Sequence, residues 1–471
     1  MLRRSHAVCI LLLFLSSTAA LRPLGPHSHV QSFPRTALTQ RTSACRTGST
    51  SLCASQPDRK GHAKWIAICS SNSFRVVSAT LLIVLDITFY TFPLPFLGDH
   101  ILRSGRTPAE YASLVAAFTY SGLVAGLAIL VREIRRVSAR TPRQRMATLA
   151  GVACIMAAGS AAQAILPSYS VLCGARLLQG GATQVAWSTA LATAATLGPV
   201  AGVKPTAWIM AGNSVGEVIG PQFGARFFSM GGVRLPFAVA SGLAALLAVA
   251  LGSTASSLPR EPAPPPSSST GPSSSSRRSP LRDRPTLLLC GLIALTCGTV
   301  RSLLDALLPL TLRSLGFGVA AISNTMLAAA LLYVLGTTAA GCVLAHRPAA
   351  AQGLLAFAAV ASTFATAAVL LPSTALGVAA LFCAYFLLSS VVGVAVTSAF
   401  EERGRILGNM DDVMALQVFA WTSGFSLGGA LSVIAAGGAA SIARQRLTLG
   451  VVSAINLVYC LCYMRSADKD T

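Results

Sequence analysis

A dozen apolar stretches of about twenty residues each, separated by short polar breaks, constrain this chain more than any other feature. Each is long enough for a helix to cross the hydrocarbon of a bilayer, and a helix satisfies its own backbone hydrogen bonds there. The expected spans lie near 74–97, 110–131, 146–166, 169–196, 206–228 and 235–254, then 286–312, 320–343, 350–371, 373–399, 412–436 and 446–464. The fold class that follows is an all-α membrane protein: twelve transmembrane helices in two pseudo-symmetric six-helix bundles, 74–254 and 286–466. Residues 255–285 between them hold Pro262-Ala-Pro-Pro-Pro266 and two serine runs, a composition that cannot pack and reads as a disordered linker.

A formal charge of +21 suggests nucleic acid at first sight, but only 11% of the 471 residues are charged and 53% are hydrophobic. The arginines crowd the N-terminal extension and the loops. After the second span come Arg132, Arg135, Arg136, Arg140, Arg143 and Arg145 against the single acid Glu133. Positive-inside topology accounts for this bias, puts that loop on a cytosol-like or stroma-like face, and removes the case for a nucleic-acid partner. The linker, Arg403, Arg405 and Arg465 fall on the same side. The twelve cysteines show no metal-ligand spacing and read as small apolar packing residues. No nucleophile triad, metal cluster or phosphate loop is legible, so the chain is not expected to be an enzyme: no catalytic residue, no cofactor and no metal.

The first sixty residues read as an address. Met1-Leu-Arg3-Arg4, the apolar run Cys9–Leu15 and Ser16-Ser-Thr-Ala-Ala20 have the parts of a signal peptide over 1–20. Residues 21–64 then form a transit-like disordered segment, because eleven Ser or Thr, four Arg and no acid occur before Asp58. Such a two-part leader resembles those of plastid proteins in algae with secondary plastids. The expected location is an integral, multi-pass protein of a plastid envelope; an endomembrane or the plasma membrane is the alternative.

Ionisable residues inside spans are costly in hydrocarbon and are therefore functional candidates. Asp86 opens the first half within Leu85-Asp86-Ile-Thr-Phe-Tyr90 and is followed by Pro93; Asp305 opens the second within Leu304-Asp305 and is followed by Pro309. This echo of one half in the other is the mark of a parallel repeat, which puts a solute site between the halves. Both carboxylates are read as cation-binding or protonatable groups facing a shared water-filled cleft, the alternative being structural hydrogen-bond acceptors. Arg301 stands four residues before Asp305, on the same helical face, where the two can pair. Glu217 is either a further proton-binding acid or the partner of Arg176. Phe89, Tyr90, Phe118, Tyr120, Trp187, Trp208, Phe419 and Trp421 are candidate cavity aromatics, suited to cations through their ring faces. Asp411 and Asp412 suit a helix N-terminus.

Two motifs carry a family resemblance. Arg176-Leu-Leu-Gln179-Gly180 in the fourth span resembles the Arg-x-x-Gln-Gly motif of the major facilitator superfamily. Gly212, Gly216, Gly220-Pro221 and Gly224 in the fifth resemble its antiporter motif, whose small residues let helix backbones approach closely. Within the superfamily the chain resembles the drug:proton antiporter branch and most closely the vesicular amine transporters, through Asp86 with Pro93-Leu-Pro95, Leu304-Asp305-x3-Pro309, Gly424-Phe-x2-Gly428 and the closing Asn456–Arg465 stretch. That family has a lysine in its second span and acids in its tenth and eleventh; the matching stretches here, Ala116–Leu123, Ser389–Val394 and Gln417–Ala420, contain none.

The resemblance implies secondary active transport, a proton-coupled antiport of a small amphiphilic organic solute by alternating access, by a monomer whose partners are the solute, protons and the lipid bilayer. Two alternatives stay open. If Arg176 and Arg301 face the cavity unpaired, the solute is an organic anion or metabolite of the plastid envelope; or the chain is a non-transporting, receptor-like relative.

Overall fold

The computed structural model describes residues 71–134, 141–195, 197, 205–259, 280–346, 351–368, 374–407, 410–437 and 441–467. The signal, the transit-like segment and most of the linker lie outside them. Among the described residues twelve helical rods follow in order: α1 Asn72–Arg103, α2 Pro108–Ile134, α3 Pro142–Ile165, α4 Tyr169–Ala195, α5 Pro205–Gly231, α6 Arg234–Ser257, α7 Arg284–Ser314, α8 Val319–His346, α9 Ala351–Ala368, α10 Ala375–Leu407, α11 Met410–Ala436 and α12 Ser441–Ala467. Among the described residues, nine helices are long and apolar enough to cross a membrane. The other three are α4 and α5, whose apolar sequence is broken by Arg176, Gln179, Gln184 and Glu217, and the short α9.

Local chemistry sets where the rods start and break. The Ser71 hydroxyl caps α1 by accepting from the Phe74 N–H at 3.2 Å. Pro93 has no N–H to continue the ladder, so α1 breaks after Thr91 and resumes at Leu94. Thr141 and Gln144 form a reciprocal capping box at the start of α3. Rod α10 runs to Leu407, about two turns beyond the expected 373–399. Its extra turns carry Glu401, Glu402, Arg403 and Arg405, which a hydropathy window rejects although a helix tolerates them in water. Arg403 there holds Asp283, the N-cap of α7, through two hydrogen bonds of 3.0 and 2.5 Å.

Packing follows the logic of lipid, in which close backbone approach replaces the hydrophobic drive. The four glycines of the α5 stripe lie against α1. A Cβ on Gly216 would stand 2.7 Å from the Val84 carbonyl oxygen, and one on Gly224 would overlap the carbonyl of Phe92. Gly180 on α4 meets the Phe118 carbonyl of α2 in the same way. In the second half, Gly424 and Gly428 of α11 press on the carbonyls of Ala294 and Thr299, within a wide π-helical turn of α7 at Ile293–Thr299. Large apolar side chains such as Val124, Leu246, Phe357 and Leu376 remain exposed, on the faces left to lipid.

The two halves touch along α2 with α11 and along α5 with α8. Ser426 donates to the Thr119 carbonyl at 2.8 Å, and Ser323 to the Pro221 carbonyl at 2.9 Å. Gln222 of α5 donates to Asn324 of α8 at 3.1 Å. At the ends of α1 and α7 remote from the arginine-rich loop, buried Asp99 meets Arg313 as well as Arg103. These are charge contacts, since neither oxygen of Asp99 has an aligned hydrogen-bond donor.

Candidate functional site

Asp305 and Arg301 sit on one face of α7, a single turn apart. Arg301 Nε donates to both carboxylate oxygens of Asp305 at 3.0 and 2.9 Å, and Nη2 donates to Glu217 of α5 at 2.6 Å. The guanidinium also lies 3.9 Å from the centre of the Phe386 ring of α10. From the first half, Tyr90 Oη donates to Asp305 Oδ2 at 3.0 Å. One arginine thus holds two carboxylates, and two of these contacts, Tyr90 to Asp305 and Glu217 to Arg301, cross from one half to the other. With all three groups ionised, the cluster carries one uncompensated negative charge.

Asp86 is built differently. Its oxygens accept from Thr183 at 2.5 Å and from the Trp187 indole N–H at 3.1 Å, both on α4, and no cation is paired with it among the described residues. Thr183 and Trp187 are four residues apart and so present both donors from one helical face. Tyr90 follows Asp86 by one turn of α1, so α1 touches both acid sites on neighbouring turns, carrying Asp86 itself and the tyrosine that donates to Asp305 of α7.

Two alternatives left open by the sequence fall away, and one expectation needs correcting. Glu217 pairs with Arg301 and not with Arg176, because α5 meets α1 through its glycines and the adjoining position turns to α7. Arg301 is not an unpaired cavity cation, since both acids hold it. Asp86 and Asp305 do not look directly into water in this conformation. Both are 0% exposed, and the cluster meets solvent at the edges of Glu217 and Arg301, whose side chains are 11% and 8% exposed, and of Tyr90. Enclosure follows from their neighbours: Thr183 and Trp187 cap one acid, Tyr90 and Arg301 the other.

Arg176 donates to the Phe89 carbonyl at 2.8 Å and stands 5.5 Å from the centre of the Phe118 ring; its Nε is buried with no acceptor. Gln179 donates to Ser160 of α3 at 3.0 Å, so it and Gly180 serve helix packing. Of the aromatics, Tyr90 and Phe118 pair at 5.2 Å, and Phe425 of α11 joins Tyr90 at 6.0 Å and Trp421 at 6.2 Å. Tyr120 is 38% exposed, whereas Trp208 has a buried indole N–H with no acceptor. Sequence reasoning missed Phe386, Phe425 and Thr183. Phe425 and Thr183 lie one turn from Trp421 and Trp187, a spacing that could have found them.

The sequence profile of the Major Facilitator Superfamily matches residues 76–414. The chain belongs to that superfamily. A crystal structure of a bacterial homologue of the human lysosomal transporter Spinster, inward-facing and occupied, is similar at a TM-score of 0.61 and 16% identity, over 84% of this chain and 97% of that one. The nucleoside transporter NupG is similar at a TM-score of 0.58 and 11% identity, over 83% and 98%. At such identities the likeness is one of fold. A search of curated proteins finds no match. Family and fold together make this a multi-pass secondary transporter and not an enzyme.

Proposed function

We propose that the protein is a proton-coupled antiporter of the drug:proton type, exchanging a small amphiphilic organic solute for protons by alternating access. One observation carries the reading: Arg301 binds one carboxylate from each half, and the three groups together leave one negative charge unbalanced. In a low-dielectric interior, an unbalanced charge attracts a cation strongly. A proton on Glu217 or Asp305, or the cationic group of a solute beside them, supplies that cation, so the two compete for one place. Either also withdraws a partner from Arg301 and weakens the ties that hold α7 to α1 and α5, which lets the halves rock apart. Asp86, held by two neutral donors, serves as a second protonatable acid next to this switch.

The reading is tested by reconstituting the full chain in proteoliposomes and measuring uptake of radiolabelled 4-(aminomethyl)biphenyl under an imposed pH gradient. Accumulation should follow the gradient, collapse with a proton ionophore, and fail in Asp305→Asn and Glu217→Gln. Uptake indifferent to the gradient, or unaltered in both Asp305→Asn and Asp86→Asn, would defeat proton coupling. We also propose the plastid-envelope address for residues 1–64; a fluorescent fusion of the first seventy residues to a reporter that labels the endoplasmic reticulum instead would remove it.

A further inference from the structure

Apart from Asp86, which two neutral donors hold, the interior holds two charge imbalances of opposite sign. One is the Arg301–Asp305–Glu217 cluster, short of a positive charge. The other is Arg176, 3% exposed, short of a negative one: it is a buried cation whose recorded partners are one backbone carbonyl and a ring face, and whose Nε has no acceptor. A guanidinium has five donors, and a buried cation without a counter-ion costs several kcal/mol that an anionic group would relieve. Among the described residues no carboxylate lies within ion-pair reach of Arg176. Asp86, one turn back from the Phe89 carbonyl that Arg176 holds, spends its oxygens on Thr183 and Trp187.

The two imbalances are joined by an aromatic path. Arg176 faces the Phe118 ring, Phe118 touches the Tyr90 ring, and the Tyr90 hydroxyl reaches Asp305. Phe425 closes the far side of Tyr90. We infer that the solute is an elongated aromatic zwitterion, bound with its carboxylate at Arg176, its ammonium at Glu217 and Asp305, and its rings among Tyr90, Phe118 and Phe425. Two side-chain rings separate the charge sites, so the ligand's charges stand at opposite ends of a flat apolar body and not on one carbon. In this conformation Tyr90 and Phe118 fill that path, and the ligand enters when the halves part and Tyr90 leaves Asp305. This assignment rests on the proposed transport reading for its entry route, and on the charges alone for its choice of ligand.

Binding to the purified full-length protein, measured by calorimetry without any proton gradient, tests it on one scaffold. The probes are 4′-(aminomethyl)biphenyl-4-carboxylate, the amine 4-(aminomethyl)biphenyl, the acid biphenyl-4-carboxylate, and the α-amino acid 4-phenylphenylalanine. The first should bind about tenfold or more tighter than each of the others, the worth of one charged hydrogen-bonded contact. Arg176→Gln should reduce the zwitterion to the level of the amine, Arg176→Lys should restore part of the preference, and Glu217→Gln should reduce it to the level of the acid. The assignment is overturned if the amine binds as tightly as the zwitterion in the unmodified protein, if none of the four binds, if the α-amino acid is preferred, or if chloride strengthens binding of the amine, since the anion would then be a separate ion. A zwitterion that binds as described but accumulates without regard to pH would sink the antiport reading and leave this one standing.

Discussion

Removing the Arg301 side chain tests the cluster most severely. Arg301→Met keeps the unbranched apolar stem but takes away three charged hydrogen bonds of 2.6 to 3.0 Å and the stacking on Phe386. It leaves Asp305, fully enclosed, and Glu217, nearly so, as two carboxylates facing one vacated position. Breaking a buried ion pair by removing one partner typically costs about 3–5 kcal/mol, most of it the penalty of stranding the other charge. The triple variant Arg301→Met, Asp305→Asn, Glu217→Gln strands no charge and should recover most of that loss. Unfolding of detergent-purified protein, followed by thermal melts of the single and triple variants, reads the difference. The melt of R301M should fall well below the unmodified protein and the triple variant should lie between them. A single variant as stable as the unmodified protein, or a triple variant less stable than the single, would refute the reasoning that this charge balance is built into the fold.

Other expectations follow from particular contacts. Gly224→Ala drives a methyl into the Phe92 carbonyl and should cost about 1–3 kcal/mol in the same melts, whereas Gly174→Ala, with open space around its Cβ, should be neutral. Burial pushes the Asp283 carboxyl up, but the Arg403 hydrogen bonds and those from Thr286 outweigh it and hold it below the ordinary aspartate value. A depressed folded-state value stabilises above the ordinary range of about 4 and loses that stability as pH falls through the depressed value, so acid melts should show this loss and Arg403→Met should reduce it. With Trp65, Trp208 and Trp421 replaced by Phe, Trp187 fluorescence reports the state of Asp86; it should change with pH, and Asp86→Asn should abolish the change. Asp99→Asn weakens the hold on Arg313 and should speed thiol labelling of a cysteine placed at Asn324, where unchanged labelling would speak against a closing contact at that end.

The helical rods, nine of which among the described residues are long and apolar enough to cross a membrane, the two-half plan and the acids themselves were legible because each rests on a local pattern. Twenty apolar residues, a glycine every fourth position and a carboxylate within a span are all visible in one segment. The Arg301–Asp305 pair was legible for the same reason, as two residues one turn apart. What the sequence could not carry was the contact between helices distant in the chain. Glu217 and Arg301 are 84 residues apart, and the choice between Arg176 and Arg301 as its partner depended on which way α5 turns once its glycines lie on α1. The break of α1 at Pro93 was marked by its proline, but the π-helical turn at Ile293–Thr299 had no such signal, since it arises where Gly424 and Gly428 crowd the α7 backbone. The enclosure of Asp86 was equally hidden, because Thr183 and Trp187 are ordinary residues of an apolar helix until α4 is set against α1.

Solute and proton, on the proposed mechanism, compete for the charge shared by Arg301, Asp305 and Glu217. The most direct measurement is proton release from the detergent-solubilised protein, read with a pH dye in weakly buffered solution, on addition of 4′-(aminomethyl)biphenyl-4-carboxylate or 4-(aminomethyl)biphenyl. Release is expected from the unmodified protein with at least one of the two, and none from the Asp305→Asn, Glu217→Gln double variant; binding of both probes with no proton released by either, or equal release from the double variant, would overturn the competition.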